Sequence, residues 1–427
     1  MHSQLPALKR KLIHAYPDLV QILTSKDCQK TLPLYASVDI RESHYKAAVI
    51  DANLFPAGFN NLCQYSSEEI PTIFKNIILE RRPSCKHVLI ICEEHTRNKF
   101  YLENVYTLSR FLREAGFTVD VASFFQAHTD VCKEKGQLDF ETASGKPLSI
   151  YCLNWVKSKL LTADKHYDFV LLNNDLSKGV PDELLELNIP IYPSYKAGWH
   201  SRVKSEHFVK VQQVMQTVLD SVGINPYFFT TEFDAVHDID INVESNREAL
   251  YEKAKALFQS IEQNYKAHDI DQKPLLFVKA NQGTYGMGVI SIESPEDILT
   301  VNRKIKNKLS TGKESKRIHS FLLQEGIPSV LKVNDLPAEL CLYYASSQYL
   351  GGFYRVNSAK SERDNLNSTG MIFKKMCVTN NGNCPFSSDQ ASDECGEAII
   401  ESLPVYQLLA LVSVYAAQKE IQELERS

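Results

Sequence analysis

LLFVKANQGTYGMGVISIE, residues 275–293, decides how this chain is read. Leu275, Leu276, Phe277 and Val278 form an apolar run that reads as a buried strand, with Lys279 at its end. Gly283, Thr284, Gly286 and Gly288 follow, and then a second β-branched run, Val289, Ile290 and Ile292. The glycines therefore lie between two strands. Glycine lets backbone N–H groups approach a ligand closely. Successive N–H groups in such a turn make an anion-binding concavity. With a mobile cation just before it, the stretch reads as a phosphate clamp made of a hairpin loop and a lysine.

Three familiar phosphate motifs do not fit it. A Walker loop ends in Gly-Lys-Ser/Thr, whereas Val289 and Ile290 follow Gly288 here. A Rossmann fingerprint opens a helix, and the residues after these glycines are strand-like. Protein kinases place the glycine loop before the lysine strand, the reverse of this order. The order strand, lysine, glycine loop, strand resembles that of ATP-grasp ligases. A plain glycine-rich hairpin is the alternative.

The rest of the chain gives room for two or three domains in 427 residues. A net charge of −5, with no basic run interleaved with aromatics, argues against a nucleic-acid or membrane-surface partner. Residues 12–23 are broken by His14, Asp18 and Gln21, so they do not read as a signal peptide. Residues 403–417 are too short to span a bilayer and read as a buried terminal helix. The 10 cysteines include no Cys-x-x-Cys pair and fit no common zinc spacing. They are expected to be reduced thiols.

Taken in order, residues 5–24 read as a helix, and 35–40 and 47–50 as strands. The second strand runs into a turn-rich loop containing Asp51, Asn53, Asn60 and Asn61. Asp51 and Asn53 alternate across Ala52, so both leave an extended chain on one face. Two oxygen donors so placed suit Mg²⁺, and an Asn-rich turn is the alternative. Arg41 follows Ser37 and Asp39, where a guanidinium can take a carboxylate in a two-pronged contact. Residues 86–194 alternate strand and helix, which implies a parallel sheet covered by helices. Its strand ends carry polar loops, among them Asn173 and Asn174, where such sheets hold ligands. Helix caps would explain some of those groups equally well. Lys204 opens a helix that runs through residue 219. Residues 232–244 suggest a loop or edge strand, 248–266 a helix, and 295–310 a supporting helix. Residues 321–324 read as a strand that becomes an exposed hinge, where Gln324, Glu325 and Ile327 would meet adenine and ribose. Strands 340–345 and 349–356 flank a tight turn. Arg355 ends the second, beside a polar loop with Asn365 and Asn367. An arginine so placed suits a charged intermediate, and the loop suits a lid.

Several stretches together resemble the proteobacterial type of glutamate–cysteine ligase. They are SVDIR at 37–41, VIDANLFPAGFNNL at 49–62, LLNNDLSKGVP at 171–181, GWHSRVKSEHF at 198–208, FVKANQGTYGMGV at 277–289, LLQEGI at 322–327, GGFYRV at 351–356 and NLN at 365–367. The resemblance implies a cytoplasmic enzyme of glutathione biosynthesis, dependent on ATP and Mg²⁺. Such an enzyme joins the side-chain carboxylate of glutamate to the amine of cysteine, with self-association left open. The implied fold is α/β, a permuted ATP-grasp-like architecture. Residues 1–85 and 331–427 would form the ligase core, 86–197 a parallel-sheet substrate domain, and 198–330 an antiparallel glycine-loop ATP domain acting as a lid. ATP-grasp ligases usually place a Glu-x-Asn metal pair near the C-terminus, and none follows Gly370 here. Asp51-Ala-Asn53 instead resembles the early Glu-x-Asn pair of eukaryotic glutathione synthetase, which suggests the permutation. The family carries an aspartate where this chain has Asn281.

The resemblance then assigns roles. Lys204, Lys279, Gly283, Thr284, Gly286 and Gly288 would hold the phosphates, with Gln324, Glu325 and Ile327 at the nucleoside. Asp51 and Asn53 would hold Mg²⁺. Arg41, Asn60, Asn173, Asn174, Asn365 and Asn367 would bind substrate, and Arg355 would stabilise the oxyanion. Two alternatives stay open: another ATP-dependent amide ligase of the glutathione synthetase kind, and a non-catalytic nucleotide-binding protein.

Overall fold

The computed structural model describes residues 4–24, 31–63, 68–125, 129–162, 164–283, 288–310, 317–376, 395–396 and 401–426. Helix α1 (Leu5–Leu23) buries Leu5, Leu12, Leu19 and Leu23, spaced along one stripe. Strands β1 (Ala36–Glu42) and β2 (Ala47–Asn53) pair as an antiparallel hairpin. After α2 (Ile70–Arg81) come β3 (His87–Cys92), α3 (Lys99–Glu114), β4 (Thr118–Ser123), α4 (Thr129–Lys135), β5 (Gln137–Glu141), β6 (Pro147–Cys152), α5 (Leu153–Leu161), β7 (Phe169–Asn173), α6 (Asp182–Leu185) and β8 (Ile191–Tyr192). The next segment holds α7 (Lys204–Asp220), β9 (Phe233–Val236), α8 (Glu244–Ala267), β10 (Leu276–Ala280), β11 (Val289–Ile292), α9 (Arg303–Ser310) and β12 (Phe321–Glu325). Strands β13 (Lys332–Val333), β14 (Leu336–Ala345), β15 (Gln348–Val356), β16 (Ile372–Met376) and β17 (Cys395–Gly396) precede the last helix, α10 (Leu403–Arg426).

The protein is mixed α/β. Among the described residues a six-stranded sheet runs β5-β6-β4-β3-β7-β8, parallel except for β5 at its edge. Its middle strands β3 and β7 are buried on both faces, which is why they read as unbroken apolar runs. Asn98 caps α3 by accepting from the N–H groups of Phe100 and Tyr101. A four-stranded antiparallel sheet runs β11-β10-β12-β9. Leu250, Ala254, Leu257, Phe258 and Ile261 of α8 pack on Leu276, Val278, Phe321 and Leu323 of that sheet.

A third sheet draws on both ends of the chain, in the order β17-β16-β15-β14-β1-β2, with β13 on β14. Its central register sets Asp39 opposite Cys341 on one side and opposite Asp51 on the other. Helix α10 is buried beside α1 and α7, with Leu408, Leu409, Ala410 and Val412 fully enclosed. No helix among the described residues is long and apolar enough to cross a membrane.

Three expectations need correction. Residues 295–310 are not one helix: a 3-10 turn, Pro295–Ile298, is closed by a Ser294–Asp297 capping box, and α9 starts afresh. The cysteines are not all thiols, because α4 packs at the end of β6 and joins Cys132 to Cys152 in a disulfide. The hinge after residue 324 is not exposed, since Glu325 and Ile327 are buried.

Close packing of β15 on β14 gives a direct test. A Cβ on Gly352 would lie 2.7 Å from Leu342 Cδ2 and 2.8 Å from the Cys341 carbonyl oxygen. Gly352→Ala is expected to cost about 1–3 kcal/mol by overpacking. In urea the midpoint should fall with the slope unchanged.

Candidate active site

The third sheet and the glycine-hairpin sheet face each other across a narrow cavity. Asp39, Arg41 and Asp51 reach it from β1 and β2, and Glu339 and Arg355 from β14 and β15. Lys204 reaches it from the start of α7, and Lys279, Gly283 and Val289 from the hairpin. Asn365 and Asn367 complete the lining from the polar loop. Thus Arg41, Asp51, Lys204, Lys279, Gly283, Arg355, Asn365 and Asn367, all expected at the site from sequence, come together.

One end of the cavity is cationic. Lys279 is buried, and its Nζ donates to the Ile50 carbonyl at 2.9 Å and to Gln324 Oε1 at 2.7 Å. Burial lowers its pKa to about 8, against the pull of Asp51. Lys204 Nζ donates to Asp51 Oδ1 at 2.5 Å. Burial alone would push the Asp51 carboxyl up, but Lys204 and Lys279 hold it below its ordinary value. The two lysines are tied together by Asn281. Its carbonyl accepts from Lys204 N at 2.8 Å, and its Oδ1 accepts from Ser205 N at 2.9 Å. A residue just past the Lys279 strand therefore caps the helix that presents Lys204, satisfying free N–H groups of its first turn. Asn281 Nδ2 also donates to Ser205 and Ser320 Oγ. These contacts give Asn281 a structural task in place of the metal role that its family counterpart suggests. Gly283 adopts φ +97°, open to glycine, and no atom would crowd a Cβ there.

The other end holds two guanidiniums and two carboxylates. Arg41 Nε donates to Glu339 Oε2 at 2.7 Å, and its other nitrogens donate to the Asp364 and Ile327 carbonyls at 2.7 and 3.4 Å. Arg355 donates to Asp39 Oδ2 at 3.0 Å and also to Glu339 Oε1. Burial would raise the Glu339 carboxyl, yet Arg41 and Arg355 hold it down. Asp39 stays above its ordinary value, because burial, helped by Glu339 and Asp51, outweighs Arg355.

Behind the cationic end lies a buried network reaching α10. Arg202 Nε donates to Glu420 Oε1 at 2.7 Å, and Arg202 NH1 donates to the carbonyl of Ala52, next to Asp51, at 3.1 Å. His207 lies between Glu420 Oε2 at 3.1 Å and Ser413 Oγ at 3.0 Å. The Trp199 ring lies 4.8 Å from the Arg202 guanidinium and 4.6 Å from Lys204 Nζ, within cation–π reach of both. Ser413, His207 and Glu420 have the residue types of a hydrolytic triad, but all are buried away from solvent and serve as a strut.

Other expected site residues lie elsewhere. Asn53 turns back on its own chain, accepting from Phe55 N at 3.0 Å, and does not line the cavity. Asn60 lines a separate surface groove with Phe59 and Tyr106. Asn173 Nδ2 donates to the Pro56 carbonyl at 2.8 Å, and Asn174 Nδ2 to that of Cys92 at 3.3 Å, so both brace strand ends. Gln324 positions Lys279. Glu325 pairs with Lys46 at 2.6 Å, both side chains fully buried. The N–H groups of Glu325 and Gly326 donate to the Glu232 and Leu275 carbonyls, which leaves neither for an adenine. The Ile327 carbonyl accepts from Arg41. Gly288, at φ +65°, accepts from Ala280 N and closes the hairpin. Thr284 and Gly286 lie outside the described residues. Asp39 and Glu339 were missed as site residues, although the alternation of Ser37, Asp39 and Arg41 on one strand face was a usable signal for Asp39.

The donor chemistry of the cavity fits Mg²⁺. Its carboxylates are hard oxygen ligands, and Mg²⁺ is usually held by one or two of these plus substrate phosphates. Among the described residues no three His, Cys, Asp or Glu side chains converge to hold a metal alone.

Comparison with known proteins places the chain among ligases. A family described as "GshA: Glutamate-cysteine ligase" matches residues 9–421. The chain belongs to the glutamate–cysteine ligase family, whose members join glutamate to cysteine. A solved structure from Methylobacillus flagellatus KT, described as a provisionally assigned gamma-glutamylcysteine synthetase, superposes with a TM-score of 0.82 at 29% identity, covering 99% of this chain and 97% of that one. A D-alanyl-alanine synthetase A from Vibrio cholerae O1 biovar eltor aligns at a TM-score of only 0.28 and 13% identity, covering 78% of this chain and 99% of that one, too weak to compare folds. No curated protein matches.

The strut has a pH signature. Burial would raise Glu420, but Arg202 and His207 bring its pKa down to about 2 from 4.5. A depressed acid stabilises the fold above 4.5 and loses that contribution as pH falls toward 2. Burial also lowers His207, which adds stability above its ordinary 6.5 and loses it below as the unfolded chain takes up the proton. Glu420→Gln is expected to cost about 3 kcal/mol at pH 7 by leaving Arg202 without a counter-charge. The difference from the parent, measured by denaturant unfolding, should shrink between 4.5 and about 2.

Proposed function

We propose that this cavity carries out the ligation in two stages, with ATP activating the side-chain carboxylate of L-glutamate before L-cysteine attacks. A carboxylate does not condense with an amine at neutral pH, because its carbonyl is too electron-rich. Transfer of the γ-phosphoryl group to glutamate gives an acyl phosphate, and the amine of cysteine then displaces phosphate to leave γ-glutamylcysteine. The observation that carries this reading is the convergence of Asp51, Lys204, Lys279 and Gly283 on one cavity. Lys204, Lys279 and the N–H groups of the glycine loop grip the phosphates. Asp51 would hold Mg²⁺ beside those phosphates. When bound, Mg²⁺ offsets negative charge on the phosphate oxygens.

Arg355 stabilises the oxyanion formed when the amine adds to the acyl carbon. Arg41 holds Glu339 and the polar loop in place through its bonds to Glu339 and to the Asp364 and Ile327 carbonyls. Asn365 and Asn367 cover the amino-acid end and help exclude water, which would otherwise hydrolyse the acyl phosphate. The metal-binding carboxylate at residue 51 precedes the glycine hairpin at residues 279–289, the order expected of a permuted ATP-grasp arrangement.

Purified protein should release ADP from MgATP only when glutamate and cysteine are both present, and the product should be γ-glutamylcysteine. ADP release that instead needs γ-glutamylcysteine plus glycine would overturn the substrate assignment. Lys279→Ala is expected to lower kcat/KM for ATP by about 100-fold or more, the scale of losing one preorganised charged donor. An unchanged ATP dependence would remove Lys279 from the site.

A further inference from the structure

The four charges at the amino-acid end are not equivalent. Glu339 has both carboxylate oxygens engaged, Oε2 by Arg41 and Oε1 by Arg355, and its side chain is 2% exposed. Asp39 is held by Arg355, at 3.0 and 3.4 Å, and is 14% exposed. Arg41 and Glu339 therefore form a committed pair, and Asp39 and Arg355 an exchangeable one. Arg355 also has a buried Nε with no hydrogen-bond partner among the described residues. Its guanidinium is thus held through the terminal nitrogens while one donor goes unused.

An amino-acid substrate brings an ammonium into this cavity as well as carboxylates. Lys204, Lys279, Arg41 and Arg355 all repel that ammonium. Asp51 bonds Lys204 and is assigned to Mg²⁺ above, and Glu339 is engaged by two guanidiniums. Asp39, bonded by Arg355 alone among the cavity's cations, remains. It stands directly across β1–β2 from Asp51, at the ~4.5–5.5 Å Cα spacing of opposed antiparallel residues. That spacing is comparable to the distance between the α-amine of glutamate and its reacting side-chain carboxylate. An ammonium on Asp39 thus leaves the carboxylate near the phosphate end.

We propose that Asp39 receives the α-ammonium of bound glutamate, and that this contact releases Arg355 toward the reacting carboxyl group. No covalent bond changes in this step. One cation replaces another at Asp39, and the freed guanidinium turns to the oxygen that becomes negative during ligation. While Asp39 holds Arg355, a carboxylate lacking the neighbouring ammonium is activated poorly. The inference rests on the reading of this cavity as the shared glutamate and ATP site.

Glutarate tests it, since it has both carboxylates of glutamate and no amine. ADP release is measured with saturating MgATP and cysteine, using glutamate or glutarate as the acid. The parent protein should favour glutamate by roughly 10- to 100-fold in kcat/KM, the worth of a charge-assisted hydrogen bond. Asp39→Asn should bring that ratio close to one, chiefly by losing glutamate activity. Because the readout is a ratio, a general loss of activity leaves it unmoved. Asp39→Glu keeps the charge but shifts it, so it should retain the preference with a raised KM for glutamate. An unchanged ratio in Asp39→Asn would overturn the inference. So would an Asp39→Asn defect that excess Mg²⁺ repairs with the ratio intact, which would make Asp39 a metal ligand. If Asp39→Asn does not fold, an Asp39→Glu variant with both ratio and KM unchanged would overturn it. Failure of the parent protein to release ADP with glutamate and cysteine would instead reject the function proposed above.

Discussion

A buried lysine loses the hydration that keeps it charged, and Lys279 remains useful only because Ile50, Gln324 and Asp51 stand in for that water. The same balance governs the rest of the cavity. Four cations and three carboxylates share one cavity, where unmatched buried charge is expensive. Each group is tolerable only if oppositely charged or hydrogen-bonding neighbours stand beside it. Much of the surrounding architecture can be understood as meeting that requirement.

Three independent pieces of backbone provide the placement. The β1–β2 hairpin offers carboxylates, the β10–β11 hairpin offers a lysine, and α7 brings a second lysine. Asn281 pins the second to the third, and Arg202 pins the third to the first through Ala52. A substrate that displaces any ion pair therefore acts on a framework that stays fixed by hydrogen bonds outside the cavity.

Local patterning made the elements legible. Apolar runs such as 87–92 and the glycine hairpin were visible because strand burial and turn chemistry act over a few residues. The cavity's cations were legible too, since lysines and arginines at strand and helix ends are conspicuous. What could not be read was where polar side chains spend their hydrogen bonds. Asn53, Asn173 and Asn174 resemble ligands in one dimension, yet each is used by backbone that folding brings nearby. Glu325 looked like an exposed hinge because nothing in its own segment predicts Lys46 as a partner from 279 residues away. At 295–310 the Ser294–Asp297 capping box and Pro295 signal a helix start, but that start opens only a single 3-10 turn, Pro295–Ile298, and the next helix begins at Arg303.

The strut from Glu420 to Arg202 also has a bearing on biosynthesis. Residues are added in order, and Glu420 lies on the last helix. While the chain is still being made, Arg202 has no carboxylate to meet, and β1 has no β14 to pair with. The parallel sheet, by contrast, draws all its strands from one contiguous stretch and can pair early. A chain cut short before Glu420 therefore has the lysines and carboxylates of the cavity but not the strut behind them.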